Sequence, residues 1–97
     1  MYVSKLQSED MDQLITALLS LETIEEGYMF LEDLCTVAEL SAIAQRYKVA
    51  QMLTQKQTCH EIAEKTGAST ATISRVNRCL NYGTGGYRKV LEKQERK

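Results

Sequence analysis

Ninety-seven residues, 43% of them hydrophobic and 26% charged, make one domain with room for a small core. The chain has no apolar run of bilayer length and opens on the polar stretch MYVSKLQSED, so neither a membrane span nor a secretory signal is expected and the cytoplasm is the expected compartment. Three cysteines without C-x-x-C spacing and a single histidine argue against a metal centre or a disulfide framework; Cys59 and Cys79 read as small buried hydrophobes. The net charge of −1 conceals an asymmetry, because residues 1–53 carry nine acidic and three basic side chains whereas residues 54–97 carry four and nine.

In chain order the pattern is helical throughout. Ser8 is placed to cap a first helix with Met11, Leu14, Ile15, Leu18 and Leu19 on one face. Thr23 and Glu26 make a capping-box pattern before a second helix, where Ile24, Tyr28, Leu31 and Leu34 share a side and Met29 and Phe30 widen it. Thr36 and Glu39 repeat the device for a third, with Val37, Leu40, Ala44, Tyr47, Met52 and Leu53 inward. A fourth and fifth helix follow within residues 57–80, and after NYGTGG a short sixth helix lies within residues 84–95. No strand-like alternation occurs. The expected fold class is therefore all-α, six helices in one domain spanning 1–97.

The segment QTCHEIAEKTGASTATISRVNRCL, Gln57 to Leu80, reads as a helix-turn-helix. Thr58 and Glu61 form a capping box, Gly67 supplies a turn position that favours positive φ, and Ser69 caps the second helix. Ile73, Val76 and Leu80 recur at inward spacing. The 100° step per residue then turns Ala71, Ser74, Arg75 and Arg78 outward. Small residues allow close approach to base edges, hydroxyls bond to bases or phosphates, and guanidinium forks suit guanine or phosphate oxygens. Ser69, Thr70 and Ala71 would lead into the groove. An ordinary helical hairpin is the alternative, but the glycine turn, both caps and the basic outer face coincide here.

The helices of residues 8–53 are too apolar for a monomer of this size, which points to a homodimer, with a compact monomer as the alternative. A dimer would set two recognition helices about 34 Å apart, one helical turn of DNA.

From Ala38 to Leu80, and most specifically over GASTATISRVNRCL, the chain resembles the Trp repressor superfamily, and by its helix order is similar to the YerC/YecD branch. The resemblance implies an intertwined homodimer, with 8–53 as dimerisation helices, and a bacterial transcription regulator acting on a double-stranded DNA operator. It places Ser69, Thr70, Ala71, Thr72 and Ser74 against the operator and His60 near the phosphates. For the effector pocket it implies two arginines and a glycine. Arg75 matches one arginine, Gln45 stands at the other with Arg46 beside it, and Val76 replaces the glycine. Valine fills space a flat ring would need, so tryptophan is not the expected corepressor and any small-molecule effector is unidentified. Arg75 either lines an effector cavity or faces a phosphate, and the lack of a second cationic wall favours phosphate.

The expected function is thus a homodimeric, sequence-specific DNA-binding repressor. The competing reading is a helical interaction adaptor that does not bind DNA. Catalysis is not expected: GTGG at 83–86 has no preceding strand and no following Lys-Ser or Lys-Thr pair, and no cofactor motif occurs.

Overall fold

The computed structural model describes residues 2–96, in which six helices follow one another: α1 Glu9–Leu19, α2 Ile24–Leu34, α3 Val37–Thr54, α4 Cys59–Thr66, α5 Thr70–Tyr82 and α6 Gly86–Glu95. No strand occurs among the described residues. Helix α5 runs two residues beyond the expected Leu80, to Tyr82.

Local chemistry sets the helix ends. Each N-terminus leaves unbonded N–H groups, and short hydroxyl side chains accept them. The hydroxyl of Ser8 accepts from the Met11 N–H at 3.1 Å, and that of Thr23 from the Glu26 N–H at 3.1 Å. The expected Thr23–Glu26 box forms only by half: the Glu26 carboxylate accepts instead from the Glu22 N–H at 2.8 Å. At the end of α3 the Gln57 N–H reaches the Met52 carbonyl and the Lys56 N–H reaches that of Leu53, a Schellman closure. Lys56 supplies its left-handed residue, with φ 62°, where glycine is the usual choice.

The chain forms two compact units that divide after Thr36. The first, residues 2–36, contains α1 and α2. Neither helix has a buried residue. Leu14, Leu18, Leu21, Phe30 and Leu31 are half-buried, while Met11, Ile15, Leu19, Ile24, Tyr28, Met29 and Leu34 are exposed.

The second unit contains α3 to α6 and holds the core. Its buried side chains are Val49, Ala50 and Met52 of α3, Ile62 of α4, Ala68 of the following turn, Ile73, Val76 and Leu80 of α5, and Leu91 of α6. Helices α4, α5 and α6 all pack on α3, so α3 is the post around which the unit is built. Its apolar side changes along its length. Val37, Ala44 and Ile43 in the first half are exposed, whereas Val49 and Ala50, not part of the expected stripe, are fully buried in the second. Short side chains at 49 and 50 let α4 and α5 approach α3 closely.

Cys59 and Cys79 are exposed, contrary to expectation. Cys59 is the first residue of α4, where the chain enters from solvent. Cys79 lies 100° around α5 from Leu80, and the inward stripe is already filled by Ile73, Val76 and Leu80.

Candidate nucleic-acid interface

Two short helices and a three-residue turn carry the site. The Thr58 hydroxyl accepts from the Glu61 N–H at 3.1 Å, and the Glu61 carboxylate accepts from the Thr58 N–H at 2.7 Å, so the expected capping box closes in both directions. The backbone N–H of Thr58, then its side chain, hold the Glu61 carboxyl below its ordinary range against the opposing effect of burial, with nearby His60 adding a smaller pull in the same direction. Gly67 takes φ 73° and returns its N–H to the Ala63 carbonyl at 2.9 Å. A side chain there would meet open space but would force a Cβ into the left-handed region, so the glycine answers a backbone need rather than a steric one.

Helix α5 then starts on Ser69, whose hydroxyl accepts from the Thr72 N–H and donates to the Thr72 hydroxyl, both at 3.1 Å. Ile73, Val76 and Leu80 point inward, at 3%, 1% and 6% exposure. The opposite side holds the helical residues expected to meet DNA except Thr72, which is four residues before the buried Val76 and shares its flank. Ser69, Thr70, Ala71, Ser74, Arg75 and Arg78 are exposed and Thr72 is half-buried.

Electrostatics separate the two helix starts. The first turn of α4 contains Glu61, already seated on its own helix terminus, and the exposed His60 ring lies 3.6 Å from the Glu64 carboxylate. The first turn of α5 contains no acidic residue. Anions favour helix N-termini, and of these two starts that of α5 lacks a carboxylate of its own.

The arginines divide in the same way. Arg46 donates to the Ala42 carbonyl of its own helix, Arg88 donates to the Leu80 carbonyl and the Asn81 side chain, and Arg96 pairs with Glu92. Arg75 and Arg78 make no hydrogen bond or ion pair among the described residues, and neither do the hydroxyls of Thr70 and Ser74. Four side chains with unmet donors thus lie together on the outer side of α5.

Of the residues expected to line an effector pocket, Gln45 is half-buried on α3 and its amide donates to the Thr66 carbonyl at 3.1 Å. Arg46 folds back on α3 and Arg75 stands on the exposed face of α5. Val76, at the position the resemblance gives to glycine, belongs to the core.

Sequence reasoning overlooked two features. Tyr82 is 87% exposed and continues the 71, 75, 78 progression by four more residues, so it extends the outer stripe to the end of α5. Helical spacing alone could have found it. Arg88 satisfies the Leu80 carbonyl near the end of α5 across eight residues, and nothing local announces that bond.

The comparisons with known proteins agree with this geometry. The family described as Trp repressor protein matches residues 9–95. YerC of Bacillus subtilis (strain 168), described as uncharacterized, is 50% identical over 93 residues, which cover 96% of this chain and 89% of that protein. The crystal structure of a TrpR-like protein from Eubacterium eligens ATCC 27750 is 53% identical, covers 94% of each chain and superposes with a TM-score of 0.91. A candidate Trp repressor from Staphylococcus aureus superposes equally well, with a TM-score of 0.91, at 44% identity over 98% of this chain and 95% of its own. A match running from the first helix to the last, shared with solved relatives of nearly the same length, assigns this chain to the Trp repressor family.

Proposed function

We propose that the protein is a homodimeric transcription regulator that inserts α5 into the major groove of an operator in the bacterial cytoplasm. The observation that carries this reading is the pair of unpartnered guanidinium groups, Arg75 and Arg78, beside the hydroxyls of Thr70 and Ser74 on a face kept outward by a buried aliphatic stripe. Ala71 admits base edges close to the helix, and Ser69 and Thr72 hold the leading turn in shape. His60 reaches a flanking phosphate only by leaving Glu64. Arg75 contacts phosphate rather than an effector, since Gln45 and Arg46 direct their donors to carbonyls within the chain. Repression follows from occupying the operator and requires no catalytic step.

The dimer rests on the apolar side chains that α1 and α2 leave exposed. Apolar surface of that extent is normally covered, and a symmetric copy also supplies the second recognition helix.

Fluorescence anisotropy with a labelled random-sequence duplex, from low to physiological salt, tests the reading. Binding should weaken steeply as salt rises, and Arg75→Ala and Arg78→Ala should each reduce the slope by about one unit per lost phosphate contact. Negligible binding at every salt concentration would leave the adaptor reading in its place.

A further inference from the structure

The angle between the two helices of the helix-turn-helix is set at Thr66–Gly67–Ala68, and three of the four bonds that hold this turn are local. The Gly67 N–H returns to Ala63, and the Thr66 hydroxyl donates to the Ile62 carbonyl at 2.7 Å while accepting from the Ala68 N–H at 3.1 Å. The fourth comes from elsewhere in the unit. The Thr66 carbonyl, left without a helical partner at the end of α4, accepts from Nε2 of Gln45, 21 residues earlier on α3.

That bond differs in kind from the rest of the contact between α3 and the recognition unit. Val49, Ala50 and Met52 meet Ile62, Ile73 and Val76 through apolar surface, which is non-directional and tolerates small sliding motions. A hydrogen bond to a fixed carbonyl does not. We propose that Gln45 is a positioning residue for DNA recognition: its amide is the strut that fixes the helix-turn-helix against α3 and so fixes where α5 points. This inference rests on the DNA-binding reading above. The lever is long enough to matter. Arg78 lies eight residues into α5, about 12 Å from its start, so a tilt of about 10° displaces it by about 2 Å, more than a phosphate hydrogen bond tolerates.

The test uses the full-length protein and the random-sequence duplex. Gln45→Met keeps the length and approximate volume of the side chain and removes the donor. Leu91→Ala, in the core on α6, is the control for a loss of stability alone. Gln45→Met should bind about tenfold more weakly, with the slope of log affinity against log salt shallower by about one unit, because a misdirected α5 loses phosphate contacts. Leu91→Ala should lower the melting temperature and leave that slope unchanged. A wild-type slope for Gln45→Met, with no larger affinity loss than Leu91→Ala, overturns the strut. If the wild-type protein itself does not bind the duplex, the DNA-binding reading fails, and the strut is read separately from residual dipolar couplings. The orientation of α5 relative to α3 must then change in Gln45→Met, and an unchanged orientation overturns the proposal by itself.

Discussion

The two units of this chain solve the same folding problem differently. Residues 37–97 carry eleven basic and five acidic side chains and bury a core of aliphatic side chains around α3. Residues 1–36 carry eight acidic side chains and one basic, form two well-capped helices and bury nothing completely. Capping makes a helix begin in a definite place, but stability comes from covering its apolar face. The basic unit therefore contains its own reason to fold, whereas the acidic unit has apolar faces that need a neighbour. The proposed division of labour, with one unit reading nucleic acid and the other assembling with a second copy, rests on this difference in packing.

The largest expected effect tests the self-sufficient core. Ile62 is fully buried, and Ile62→Ala should cost about 2–5 kcal/mol in chemical denaturation through lost contacts and the cavity left behind. A cost under about 1 kcal/mol would mean the core is looser than its burial suggests. Ile15→Asp addresses the other unit. Ile15 is half exposed on α1, so a carboxylate there should be tolerated by the isolated fold yet break the dimer, halving the mass seen by sedimentation equilibrium. An unchanged dimer would remove α1 from the interface.

Salt should separate the two units by sign. If the acidic unit of one copy meets that of the other, with net charge −7 on each, raising salt from about 20 mM to about 500 mM should tighten the dimer while it weakens DNA binding. A dimer that loosens with salt would instead pair the acidic unit with the basic unit of the second copy.

Two smaller effects concern the ends of the recognition unit. Lys56→Gly relieves a Cβ from the left-handed region and should raise stability by about 1 kcal/mol or less, as read from the denaturation midpoint. Glu61 has a lowered folded pKa, so its contribution is complete above the ordinary carboxylate range and is lost as pH falls through the lowered value. Glu61→Gln keeps an acceptor for the Thr58 N–H without the charge. The difference in melting temperature between it and the wild type should shrink as pH falls from about 6 to about 3, and a constant difference would show that ionisation contributes nothing.

What could be read from the sequence was short-range. Hydroxyl caps at Ser8, Thr23, Thr58 and Ser69, the left-handed Gly67, and the inward stripe of Ile73, Val76 and Leu80 all depend on residues within a few positions of one another. Periodicity also sufficed to turn Arg75 and Arg78 outward. It did not place the cysteines, because a residue at the flank of a helix is covered or bare according to its neighbours. Nor did it reveal Val49 and Ala50 as the centre of the core, because α3 changes its apolar side part-way along.

The sequence by itself determined where each helix begins, which side of α5 is aliphatic, and that positive charge accompanies the recognition unit. Only the tertiary structure decided that Gln45 bonds to Thr66, that Arg88 closes the end of α5, and that Arg75 and Arg78 have no partner among the described residues. Helix caps and stripes repeat within three or four residues, so local spacing encodes them. The partner of a long polar side chain depends on how whole helices pack, which no local spacing records.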